Sequence, residues 1–330
     1  MFTKTHSRAA LLVMLIVAAV IPFITKNAYY LDVLIVAFIW SIAATGMNVL
    51  LGFTGLLNLA HAAFFGIGAY AVGILTFKQG WNFWLALPVG VVITAVLGYL
   101  FGLIAFRTRH DAFAIFTLAA GIIVTSIIQR WTDLTGGRDG LNGVPPPPPL
   151  LGLELEGSSP GFYYLALLAL IVALYVVSVV VRSPTGRSFV AIRSNEDLAR
   201  ASGINVYAHK QRALMLSTAL AGLAGGLYAS YLGFLGYAIT SPNQTFQILL
   251  FVIVGGIGTL TGPVIGTFVV TIALQFLQGF QQYQLLIFGP LLVLLVLFAP
   301  HGLMGLWIRS TLKSRRPRAS ATPAPAGKEG

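Results

Sequence analysis

Ten apolar stretches take up most of this 330-residue chain, falling near 9–25, 29–51, 56–77, 82–106, 112–130, 161–181, 213–236, 245–258, 262–280 and 283–300. Crossing a bilayer takes about 20 mostly apolar residues in a helix, and most of these stretches come near that length. In lipid every backbone N–H and C=O must be bonded inside the protein, which a helix achieves within its own segment. Only 9% of the residues are charged, against about a quarter in a soluble domain. The chain therefore reads as an all-α, polytopic membrane protein of about ten transmembrane helices. Between the eighth and ninth stretches lies GGIGTLTGP at 255–263, a Gly-rich break read as a hairpin or a re-entrant turn.

Charge sets the expected orientation. With the N-terminus in the cytoplasm, 16 of the 20 Lys and Arg residues fall on the inside and 4 on the outside, as the positive-inside rule requires. The first stretch follows Lys4 and Arg8 but ends in Thr25-Lys26-Asn27, without a small-x-small cleavage site, so it reads as a retained span. Both termini are expected in the cytoplasm. Residues 1–309 form the transmembrane domain, and the basic, Pro- and Ala-rich tail 310–330 is expected to be disordered. The outer loop near 131–160 carries five consecutive prolines, Pro145 to Pro149, which favour an extended polyproline spacer. The net charge of +11 sits in short loops and the tail, where orientation and anionic headgroups account for it. Membrane lipid, and not nucleic acid, is the expected partner of that charge.

Residues 182–212 form a charged island of 31 residues between two apolar blocks, holding Arg182, Arg187, Arg193, Arg200, Lys210, Arg212, Glu196 and Asp197. From 188 to 201 the spacing predicts one short amphipathic helix with Phe189, Ile192 and Ala199 on a common face. Arg193 with Asp197, and Glu196 with Arg200, are spaced as i,i+4 ion pairs, and Gly203 supplies a left-handed stop. Such a loop on the cytoplasmic side reads as a dock for a soluble partner.

Catalytic groupings are missing from the sequence pattern. The five histidines show no metal-ligand spacing, and G-x-x-x-x-G-K-[ST] is absent, so ATP hydrolysis belongs to another chain. No metal or other cofactor is implied. Ionisable groups at membrane depth are nearly missing, which argues against a self-powered proton-coupled carrier. Asn48, Asn58, His61 and Tyr70 cluster around a Gly-rich bend and are the candidates for the translocation path; helix-bonding roles stand beside that reading. Gly222 and Gly226 give small-xxx-small spacing for close helix approach.

Several segments resemble the permease subunits of branched-chain amino acid ABC importers, of the type that pairs with a second, homologous permease. They are GRSFVAIRSNEDLARASGIN (186–205), AGLAGGLYA (221–229), GGIGTLTGPVIG (255–266), LLGFTGLLNLAHAAFFGIGAY (50–70), TGGRDGLNGVP (135–145) and APHGLMGL (299–306). The resemblance implies a bacterial inner-membrane subunit whose partners are a second permease, two ATP-binding subunits and a periplasmic binding protein. It implies that Gly186, Arg187, Ala191, Ile192, Arg193, Asn195, Glu196, Ala199 and Gly203 couple to an ATPase. Where relatives carry an Arg-Gly-x-Tyr-like turn this chain has Arg109-His110-Asp111-Ala112-Phe113, a departure bearing on cargo more than on mechanism. Related permeases also carry urea or short-chain amides, and a stand-alone channel or secondary carrier is the reading from another class.

Overall fold

A computed structural model describes residues 20–22, 27–107, 110–150, 152–276 and 302–304. The tail at 310–330, the expected span at 283–300 and most of that at 9–25 lie outside the described residues. In chain order come α1 (Ala28–Asn48), which runs on as a π-helix (Val49–Phe53), α2 (His61–Phe77), α3 (Phe83–Ala105), α4 (His110–Arg130) and the one-turn α5 (Thr132–Thr135). They are followed by α6 (Pro160–Arg182), α7 (Pro184–Ser194), α8 (Glu196–Ala201), α9 (Val206–Leu232), α10 (Pro242–Gly255) and α11 (Gly262–Phe276). Among the described residues α1, α3, α4, α6 and α9 are long and apolar enough to cross a membrane, while α2, α10 and α11 are apolar but shorter.

Local chemistry sets where the helices begin. Asn27, Asn82, Ser159 and Asn205 each accept from a backbone N–H of the following first turn, satisfying a donor that would otherwise be orphaned. Pro160 adds a fixed φ at the first position of α6, where its missing N–H costs nothing.

Burial sorts the helices into layers. In its most apolar window α1 is 89% buried and α9 72%, whereas α3 and α4 are each 22% buried. The centre is thus α1 and α9, and the apolar outer faces of α3, α4 and α6 suit lipid. Glycine brings α9 against α2: a Cβ on Gly68 would lie 2.4 Å from the Cα of Gly222. The small-residue pattern acts as packing surface, as its spacing predicts. Trp40 of α1 stacks on Phe65 of α2 with centroids 4.7 Å apart, filling the space beside that contact.

Loops gather at two opposite ends, and the groups match the two sides of the charge pattern. At one end Tyr231 donates to the Asp32 carboxylate, Lys78 donates to the Asp133 carbonyl, and Leu141–Asn142 (β1) pairs antiparallel with Phe234–Leu235 (β2). This two-residue ladder, with an isolated antiparallel bridge between Leu150 and Leu153, departs from an all-helical fold; it ties the loop after α5 to the exit of α9. At the other end lie the π-helix, α7, α8 and the turn between α10 and α11.

Two helices start well inside. His61, first residue of α2, bonds Ala43 of α1, ten residues before Phe53 and so about 15 Å from that end of the helix. The chain between 54 and 60 therefore climbs back into the protein. Likewise Tyr70 donates to the Leu235 carbonyl, while the Ala62 N–H donates to Thr245 Oγ1 at 3.1 Å. Ala62 and Tyr70 are separated by eight residues of α2, so the segment 235–245 descends about 12 Å before α10 is under way. Of the 245–280 pair, α10 thus begins at mid-depth, whereas α11 reaches from beside Asn48 to Tyr29, whose hydroxyl donates to Gln275.

Candidate functional site

The island folds as two helices instead of the single one predicted over 188–201. Asn195 breaks it, with an extended backbone (φ −163°, ψ 112°) and a side chain that caps α8 by accepting from Leu198 N–H at 2.9 Å. Asparagine competes for helix N-caps better than it sits inside a helix, and here that preference overrides periodicity. The break also cancels one of the two predicted ion pairs. Glu196 and Arg200 do pair, at 3.2 Å, but Asp197 turns to Arg200 at 3.6 Å, and Arg193 points elsewhere. Lys210, only 9% exposed, reaches Glu196 Oε2 at 2.6 Å, an interaction the local spacing did not suggest.

The three residues predicted to share an apolar face are all buried, though over two helices and two clusters. Phe189 joins the main core, while Ile192 and Ala199 pack with Val206 at the start of α9. Gly186 lies against the end of α6, where a Cβ would come within 2.2 Å of the Val181 carbonyl oxygen. Gly203 has φ +82°, the left-handed stop expected of it. Arg187, Asn195 and Gly203 are exposed and Ala191 half-buried. Val190, Leu198 and Tyr207 leave apolar surface exposed on this polar segment.

Arg193 connects the island to the membrane helices. Its guanidinium donates to the Gly52 carbonyl in the π-helix, where the i→i+5 winding displaces backbone groups from their ordinary partners. Asn48, one turn earlier, spans the Gly-rich turn: its Nδ2 donates to the Thr259 carbonyl at 2.8 Å, and its Oδ1 accepts from Gly258 N–H at 2.8 Å. Side chains have no room here. A Cβ on Gly52 would fall 2.0 Å from Asn48 Oδ1, and one on Gly258 (φ +77°) would fall 2.6 Å from Arg193 Nη1. Three elements far apart in sequence thus meet at one junction: the island, the end of α1 and the α10–α11 turn.

The other path candidates lie deeper. Ala43 O can only accept, so His61 Nε2 donates to it at 2.9 Å, leaving Nδ1 to accept from the Ser217 hydroxyl at 3.5 Å. Asn58 Oδ1 accepts from Ala60 N–H at 3.0 Å, while its Nδ2 is buried without a partner. Thr117 of α4 accepts from Leu59 N–H and Thr245 of α10 from Ala62 N–H. Asn58 and His61 therefore share the start of α2; Asn48 belongs to the junction below, and Tyr70 to the opposite end, on Leu235.

The chain matches the family described as "Branched-chain amino acid transport system / permease component" over residues 29–297. It belongs to that family. Among its relatives are the high-affinity branched-chain amino acid transport permease proteins LivM of Salmonella typhimurium and of Escherichia coli. Each is 31% identical over 316 residues, spanning 89% of this chain and 74% of the relative. The permease protein LivH of Escherichia coli is 25% identical over 289 residues, 81% of this chain and 91% of its own length. No solved structure matches. Within this permease family the junction is the feature that sequence reasoning missed; the signal for it was glycine at 52, 55 and 258 beside an arginine in the island.

Proposed function

We propose that this chain is one half of the membrane-spanning part of an ATP-driven importer of branched-chain amino acids in a bacterial inner membrane. A homologous permease is the other half, two ATP-binding subunits supply the work, and a periplasmic binding protein delivers the cargo. The observation that carries the reading is the hydrogen bond from Arg193, in an exposed mixed-charge island, to the end of a buried membrane helix. A motor can shift the access of a pathway only through residues that it touches and that differ between states. The island offers such a surface in Val190, Leu198, Tyr207 and its charges. Closure of the ATPase moves α7 and α8; Arg193 passes the motion to Gly52; and Asn48 passes it to the Gly-rich turn.

In this reading the island and both termini face the cytoplasm, the residues 186–205 dock on an ATPase, and the start of α2 lies beside the path. The test is uptake into proteoliposomes holding this chain with its second permease, ATPases and binding protein. Labelled leucine should enter only with ATP. Entry of leucine without ATP would overturn the motor-docking role, and ATP-driven entry of urea in place of leucine would overturn the cargo.

A further inference from the structure

The start of α10 is an unusual place for polar surface. Asn243 is exposed and Gln244 and Gln247 are half-buried, near the level of Ala62 and so about 12 Å along α2 from Tyr70. Gln244 Nε2 donates to Gln247 Oε1 at 2.9 Å, so the amides support one another without being covered. Amides facing hydrocarbon at that depth are costly, and polar groups at membrane depth mark wet paths or helix contacts.

Two helix N-termini meet here, linked by the bond from Ala62 N–H to Thr245 Oγ1. The positive ends of the α2 and α10 dipoles share this level. Among the described residues no carboxylate is bonded to them: Asp32 is held by Tyr231 at the far end, and Glu196 and Asp197 pair with Arg200 and Lys210 in the island. Asn58, 1% exposed, sits at the same helix start with an amide nitrogen that has no partner. A donor left over at the positive end of a buried helix suits an anionic oxygen.

We propose that the joined N-termini of α2 and α10, with Asn58, Asn243, Gln244 and Gln247, form a mid-membrane station for the carboxylate of an α-amino acid passing through. The inference rests on the import function above and sharpens it, because the site takes an amino acid and passes over its amide. Among the described residues no lysine or arginine bonds to these groups, so the carboxylate is held by dipoles and amide donors. Weak holding is what a path needs, since the cargo must leave again.

The chain contains no cysteine, which makes a direct test possible. In the assembled importer in proteoliposomes, Asn243→Cys is treated with water-soluble methanethiosulfonate reagents, one carrying a sulfonate and one a trimethylammonium group. With each rate taken relative to that reagent's rate with a free thiol, the sulfonate should react about fivefold faster, the ratio a helix-terminus potential produces. Leucine, supplied with binding protein and ATP, should slow the reaction, and leucinamide should not. Absence of labelling, equal rates for the two reagents, or equal protection by leucinamide would each overturn the site. Gln247→Cys, one turn further on, gives the same reading where the first variant does not assemble. Leucine uptake by the unmodified importer is scored separately, so failure of the import function and failure of the station are told apart.

Discussion

Arg193 and Gly52 are 141 positions apart in the chain, yet the guanidinium of the first donates to the backbone carbonyl of the second. The acceptor cannot be removed by mutation, and the donor can. Arg193→Ala should therefore leave ATP hydrolysis by the assembled importer running while leucine uptake per ATP falls about tenfold, a coupling loss of the usual allosteric size. Arg193→Lys should recover little, because a point ammonium does not reproduce the planar fork of guanidinium. Parallel measurement of ATPase rate and uptake decides it, and a proportional fall in both would show a merely structural role.

Gly52→Ala is expected to damage stability as well as transport. Its Cβ would stand 2.0 Å from Asn48 Oδ1 and 2.6 Å from the Gly258 nitrogen, forcing Asn48 off the turn. Two hydrogen bonds at about 1 kcal/mol each would go, and the detergent-solubilised complex should unfold at a lower temperature. An unchanged melting profile would refute the clamp.

Lys210 and Glu196 form the most buried ion pair among the described residues, with side-chain exposures of 11% and 28%. Glu196→Gln should cost about 1–2 kcal/mol, between the surface and buried limits for a broken pair. Lys210→Met in the same chain should return part of that loss, since it removes the stranded ammonium. A thermal double-mutant cycle reads the coupling, and strictly additive costs would deny it.

Sidedness can be checked with the same cysteine-free background. Arg187→Cys and Asp139→Cys, both at exposed positions, should react with a membrane-impermeant maleimide from opposite faces of inner-membrane vesicles, Arg187→Cys from the cytoplasmic face. Reaction of both from one face would contradict the orientation taken from the Lys and Arg distribution.

Much of the architecture was legible because lipid leaves few options: long apolar runs become helices, and positive charge sorts the loops. The five long helices, the burial of Phe189, Ile192 and Ala199, and the stop at Gly203 follow from periodicity and backbone sterics. What periodicity could not reveal was competition at single positions. Asn195 ends a helix that spacing alone would continue, and Arg193 leaves its predicted partner Asp197 for a carbonyl brought near by folding. Asn48 was visible as a polar residue in an apolar run, but its partners Gly258 and Thr259 lie more than 200 positions away, beyond the reach of any local pattern. Asn243, Gln244 and Gln247 stood at the start of an apolar run, and only the Tyr70 and Thr245 bonds reveal how deep that start lies.

The π-helix at the end of α1 holds one residue more per hydrogen-bonded turn than the winding before it. That surplus is stored rotation. Rewinding Val49–Phe53 as ordinary α-helix would swing everything beyond it by about 100°, one residue's share of a turn, and carry the Gly52 carbonyl round the axis away from Arg193. The link between island and helix belongs to one winding only, so any rewinding of the end of α1 would cut it.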